Sequence, residues 1–287
     1  MNQNSEADRV KAYPFSTRVP TRWWYLLLIA GVLVLLGFYN VSDPSRVAHD
    51  PLLETGDYAG YAICHRITER SFTVAGRQFP LCARCTGTYL GVGLAFGILI
   101  LAGRGRRAGL PPLPVLLVLG SFIAAMGVDG VNSYAHFSPE APHLYEPRNW
   151  LRLLTGMGTG LAMGLVVAPA LAQTLWREPK WHPSVASLRE LAGIVVVALV
   201  TIALVLSNLP PLSYVLAIVS AAAVVLIIAV LNIMFLLIVT RRDGWATRWR
   251  QVAPFLAAGV VLAMMEIALI GIGRYALTGT MTGFPGL

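Results

Sequence analysis

The side chains of this chain best suited to chemistry are its three cysteines, Cys64, Cys82 and Cys85. They fall in one stretch, residues 64–87, which reads CHRITERSFTVAGRQFPLCARCTG and also carries His65, Arg66, Arg70, Arg77 and Arg84. A CxxC followed by x-Gly is a knuckle: the tight turn aims both sulfurs one way, and Gly87 permits close backbone approach. That arrangement suits a tetrahedral metal, chiefly zinc, which takes about four nitrogen or sulfur ligands. Cys64 and His65 complete a Cys3His set. Adjacent residues rarely ligate one ion comfortably, so His136 or His143 stands as a replacement for one of them. Two other readings stay open. A Cys82–Cys85 disulfide could be structural, or a redox dithiol passing electrons to membrane quinone with Cys64 as the resolving or nucleophilic thiol. Alternatively, the three are buried thiols without chemistry. An odd cysteine count excludes a purely structural disulfide framework.

A second polar group follows. Asp129, Asn132, Ser133 and His136 recur at i, i+3, i+4 and i+7, one face of a helix if it persists that far. Arg148, Arg152 and Thr155 share a face by the same spacing, with Asn149 beside them. An arginine one turn inside a membrane helix is expensive unless paired, and Asp129 is the expected partner of Arg152. The functional alternative is a site for an anion or lipid headgroup, with Arg152, Arg148 and the loop arginines Arg66 and Arg84 binding phosphate or carboxylate. Glu266 is the other intramembrane charge, a functional hypothesis by default with Asn232 or a protonated state as the modest alternative, and it is expected to be neutral and hydrogen-bonded. His49 and His182 read as solvated loop residues. Trp176, Trp181, Trp245 and Trp249 read as interfacial anchors.

The elements that position these residues are membrane helices. The chain of 287 residues is 56% hydrophobic and 13% charged, with a mean hydropathy of +0.66. An ordinary soluble domain carries about 25% charged residues. The formal net charge of +8 comes from basic clusters between apolar runs, the pattern of cytoplasmic flanks and not of a nucleic-acid surface. Spans are expected at 23–40, 86–102, 112–131, 150–171, 191–207, 214–239 and 254–275. A cleaved signal peptide competes for the first, but its apolar core is long and no small-x-small cleavage site follows. Placing the basic clusters inside gives seven spans with a cytoplasmic amino end. It puts the loop 41–80, the cysteines, Asp129 and Arg152 on the extracytoplasmic side.

The expected organisation is a disordered cytoplasmic tail at 1–22, a first helix and outer linker at 23–58, a Cys/His-motif core at 59–172 and a three-helix extension at 173–287. The extension carries few polar residues and reads as an appended bundle. Small residues at 156, 158, 160 and 164 let neighbouring helices approach closely. No Ser-His-Asp, P-loop, Rossmann or HExxH pattern is present, which excludes the familiar hydrolase, ATPase and dehydrogenase readings.

The run CHRITERSF…GRQFPLCARCTGTYLG, the Asp129-Gly130 pair and the run NWLRLLTG together resemble an uncharacterised family of prokaryotic predicted membrane proteins. The resemblance covers about residues 60–170. It implies a membrane location and groups these residues as a unit, and it implies no activity, substrate or metal. The expectation is therefore an all-α polytopic bundle in the lipid bilayer. It carries a Cys/His cluster for zinc (Cys64, His65, Cys82, Cys85) beside a pocket of Arg66, Arg84, Asp129, Asn132, Asn149, Arg152 and Thr155. A quinone-coupled thiol protein and a lipid- or anion-binding accessory protein are the alternatives.

Overall fold

The computed structural model describes residues 22–136, 142 and 144–281, with side chains apart from 22–30 and 44. Residues 1–21 of the expected tail and His143 lie outside the described residues. The chain is a helical membrane bundle. Six helices are long and apolar enough to cross a bilayer: α4 (Ala83–Leu101), α5 (Leu113–Ala135), α6 (Asn149–Leu175), α7 (Leu188–Leu206), α8 (Pro210–Val239) and α9 (Trp249–Thr278). The first expected span is the helix α1 (Arg22–Val41), of 20 residues. Six spans are thus shown among the described residues.

Between α1 and α4 the expected open loop is built structure. Two short helices, α2 (Pro44–Ala48) and α3 (Pro51–Ile63), are followed by a hairpin of β1 (Ser71–Val74) and β2 (Arg77–Cys82). The start of α3 is set by Asp50, whose carboxylate accepts the amides of Leu52 and Leu53, both at 2.9 Å, with Pro51 pre-set for the first helical position. The hairpin turns through Ala75 and Gly76, at φ 46° and 84°. Positive φ at both central residues suits the right-handed twist of a two-stranded ribbon. Its apolar side chains, Val74 and Phe79, pack with Val47, Leu53, Tyr214 and Ala217. The architecture is therefore helical with one small ribbon at the end of the bundle that carries the cysteines.

The most extensive helix contact is α4 against α6. It is close because glycines face backbone. A Cβ on Gly87 would lie 2.2 Å from the Leu153 carbonyl oxygen, and one on Gly160 would lie 1.9 Å from that of Thr88. Gly91 and Gly156 make equivalent approaches. Pairs of small residues four apart on both helices permit this, since lipid supplies no hydrophobic drive and association rests on close packing. Gly158 instead faces Phe122 of α5.

At the opposite end, β3 (Arg107–Gly109) pairs in parallel with β4 (Lys180–Pro183). Arg104 donates to Glu190 at 2.6 and 3.0 Å there, and the guanidinium of Arg106 stacks 4.2 Å over Trp176. Trp176 is 1% exposed and sits edge-on to Trp249, so it is a packing residue and not the expected interfacial anchor. Its indole N–H donates to the Gly105 carbonyl at 3.1 Å. Trp181, Trp245 and Trp249 are exposed.

Helices α7 to α9 do not stand apart from the cysteine region. α8 packs on α1, α3 and α4, and α9 packs on α3 and α8. The Tyr214 hydroxyl of α8 donates to Asp50 at 2.8 Å and accepts from Asn40 at 3.0 Å, tying three elements together.

Candidate functional site

Three chain ends meet at the cysteines. Cys64 caps the C-terminus of α3, Cys82 ends β2 and precedes α4, and Cys85 lies in the first turn of α4. The convergence is set by the crossing of α3 over β2, where a Cβ on Gly60 would lie 1.8 Å from the Pro80 oxygen. The CxxC is a strand-to-helix junction, where a tight knuckle turn was expected, and the close approach of Gly87 is to α6. All three thiols are free, and their sulfurs lie within 4.8 Å of one another. Cys64 is 3% exposed.

Backbone and side-chain donors converge on Cys64. The Cys82 amide donates to its sulfur at 3.3 Å. Hydrogen bonds from the Cys82 and Cys85 thiols, aided by the amides of Arg66 and Cys82, hold the Cys64 thiol far below its usual value, at about 2. The same sharing pushes the Cys82 thiol up, to about 11. The thiol with the most donors around it, Cys64, is the one whose ionised form this arrangement favours. Arg66, at φ 52°, occupies the left-handed region and so curls the backbone around that sulfur. Its side chain pairs with Asp57 at 2.7 Å, and Arg77 takes the other Asp57 oxygen at 2.8 Å.

His65 is exposed and stands outside the group of sulfurs, because the turn that directs Cys64 inward directs its neighbour outward. His136, the suggested replacement, is 3.8 Å from Glu146. A residue not expected at the site is Arg274 of α9. Its guanidinium donates to the carbonyls of Tyr61 and Cys64 and lies 4.4 Å over the Tyr61 ring. Its lone basic charge near the end of an apolar run was the available signal.

The second polar group gathers beside the first, with different pairings. Asp129, 1% exposed, pairs with Arg84 through Nε at 3.2 Å and Nη2, so the expected Asp129–Arg152 pair is replaced. Arg84 wins because it enters from the first turn of α4, while Arg152 turns back one helical turn to the Asn149 side-chain oxygen at 2.8 Å. The Tyr145 hydroxyl donates to the other Asp129 oxygen at 3.0 Å. Burial, and then that bond to Asp129, push the Tyr145 hydroxyl up. Asn132 is a structural clasp: its side chain accepts the Leu144 amide at 2.6 Å and donates to the Tyr145 carbonyl at 2.8 Å. Asn149 donates to the Glu69 carbonyl at 3.0 Å. Among the described residues Thr155 bonds back along its own helix, to Leu151 and Arg152. Glu266 accepts from Asn232 at 3.2 Å, the partner expected.

This arrangement can be compared with known proteins. The family described as Predicted membrane protein (DUF2085) matches residues 64–166, from Cys64 through most of α6. An uncharacterized protein of Methanothermobacter thermautotrophicus is 35% identical over 104 residues, 36% of this chain and 83% of that protein. The chain belongs to this family. An uncharacterized protein of Methanocaldococcus jannaschii is 28% identical over 124 residues, covering 43% of this chain and 73% of its own. No solved structure matches significantly. The family segment contains all three cysteines, Arg84, Asp129 and Arg152. It excludes α1 and α7 to α9, so Arg274 and the Tyr214 clasp are contributed from outside it.

Proposed function

We propose that this membrane protein holds one soft divalent metal ion, most simply zinc, on Cys64, Cys82 and Cys85, with a fourth coordination position open. The observation that carries this reading is the meeting of three unbridged sulfurs within 4.8 Å, one from the end of α3 and two from the β2–α4 junction. Zinc–sulfur bonds of about 2.3 Å set tetrahedral sulfurs about 3.8 Å apart, so the group needs to contract by only about 1 Å. Thiolate ligands favour zinc and other soft ions over magnesium or calcium. Three protein ligands with an open position characterise sites where a bound metal lowers the pKa of a water or polarises a substrate. The cations Arg66 and Arg274 flank Cys64 and offset the negative charge of a thiolate group.

The extracytoplasmic side is the better home for this group. Helix α4 has 19 residues, about 28 Å at 1.5 Å per residue, and separates the cysteines from Arg104, Arg106 and Arg107. Arg177, Lys180, Arg241, Arg242, Arg248 and Arg250 lie at span ends that meet that same basic end, which the positive-inside rule assigns to the cytoplasm.

The test is elemental analysis of the protein purified without added metal, wild type against Cys82→Ser plus Cys85→Ser. The reading requires close to one zinc per wild-type chain and none in the variant. Equal content near zero in both would sink it.

A second reading, thiol–disulfide exchange with a quinone, is favoured by one feature. An apolar cavity of about 780 Å³ opens between α3, α8 and α9, and its lining residues Ala59, Val225 and Ile267 belong to the apolar cluster that surrounds the cysteines. Two thiols there would lose two electrons and two protons to the quinone, giving a disulfide and a quinol. Labelling of all three cysteines in membranes isolated without reductant would exclude this second reading.

A further inference from the structure

Arg152 poses a problem that the cysteine centre does not solve. It lies in the first turn of α6, is 6% exposed, and makes a single side-chain hydrogen bond among the described residues, to the neutral Asn149 oxygen. Its Nε is buried without a partner, and no carboxylate of the described residues lies within 4.0 Å of it. Asp129, the acid of this cluster, is already engaged: Arg84 bonds one oxygen and Tyr145 the other. Two further guanidinium groups, Arg84 and Arg70, act on Arg152 repulsively, against the attraction of Asp129.

A buried cation facing two others is strongly unfavourable at a membrane boundary unless a counter-charge joins it. We infer that Arg152, with Arg84 and Arg70 beside it, is a binding site for a phosphate group at the head of α6. The guanidinium fork matches a phosphate through paired N–H donors, and a buried Nε is one of the two donors such a pair uses. The N-terminal end of the α6 dipole adds positive potential on the same side. The phosphate can come from a lipid headgroup or from a soluble species, since the site lies where α6 enters the bilayer. The cysteine centre is not required for this binding, and the two readings fail separately.

The test uses full-length protein in neutral detergent, measured by thermal unfolding in inorganic phosphate against chloride at equal ionic strength. The same protein in nanodiscs of phosphatidylcholine with or without phosphatidylglycerol is examined by native mass spectrometry for retained lipid. Stabilisation by inorganic phosphate assigns a soluble phosphate; retention of phosphatidylglycerol alone assigns a headgroup. Either supports the inference if Arg152→Gln weakens the effect by about tenfold or more, as the loss of a charge-assisted pair requires. Arg152→Lys keeps the charge but loses the fork, and a weakened response in that variant supports the inference even if Arg152→Gln does not fold. No response of the wild type to either ligand would overturn it. So would an undiminished response in both variants.

Discussion

Arg84 sits inside the CxxC interval and reaches from the first turn of α4 to the buried carboxylate of Asp129 on α5. One residue thereby ties the cysteine junction to the second polar group, and the Arg84 Nη2 also reaches the Ser133 hydroxyl at 3.1 Å. Removing one partner of a buried pair leaves the other charge unpaired. Asp129→Ala is expected to cost about 3 kcal/mol of stability. Thermal unfolding in detergent would show it, and Asp129→Ala combined with Arg84→Ala should cost less than the sum of the two. A purely additive double variant would mean the pair is energetically idle.

The α4–α6 contact has an internal control. Gly160→Ala drives a methyl into the Thr88 backbone oxygen, whereas a Cβ on Gly97 meets nothing within 4 Å. The first is expected to destabilise by roughly 2 kcal/mol through forced separation of the helices. Gly97→Ala should be neutral or mildly stabilising, by about 0.5 kcal/mol from reduced chain entropy. Equal unfolding temperatures for the two variants would contradict the packing described.

Ligand identity divides the Cys-His pair. His65 lies outside the sulfur group, so His65→Ala should retain the metal content of the wild type, while Cys64→Ser should lose it. Inductively coupled plasma mass spectrometry of the purified variants decides this, and metal loss in His65→Ala would restore the histidine as a ligand.

Arg274 supports the centre from α9 by holding the Tyr61 and Cys64 carbonyls. Residues that orient metal ligands typically change affinity by about 10–100-fold when removed. Arg274→Met should therefore weaken metal retention by roughly tenfold in a chelator competition. Unchanged retention would show that α9 stabilises the fold alone.

Sidedness is open to a direct measurement. In a background with all three cysteines replaced by serine, a cysteine at exposed Thr73 in the hairpin should react with a membrane-impermeant thiol reagent in intact cells. One at exposed Ala102, beyond the far end of α4, should react only after lysis. The reverse pattern would invert the topology.

The sequence by itself determined the membrane class, the helical spans after the first and the grouping of the cysteines with Asp129 and Arg152. Those properties are local: apolar runs of fixed length, basic flanks and residue spacing are all written along one segment. Tertiary structure alone decided the pairings. Asp129 goes to Arg84 and not to Arg152, Cys64 turns inward while His65 turns outward, and Arg274 arrives from 210 residues away. These outcomes depend on helix crossings, at Gly60 over Pro80 and Gly160 over Thr88, where distances between backbones fix which charges can meet. The hairpin escaped notice because its strands are short and its turn, Ala75-Gly76, carries a weak signal; packing against Leu53 and Tyr214 from distant helices stabilises it. In a medium that cannot solvate stray polar groups, the partner available at the crossing is the one that counts.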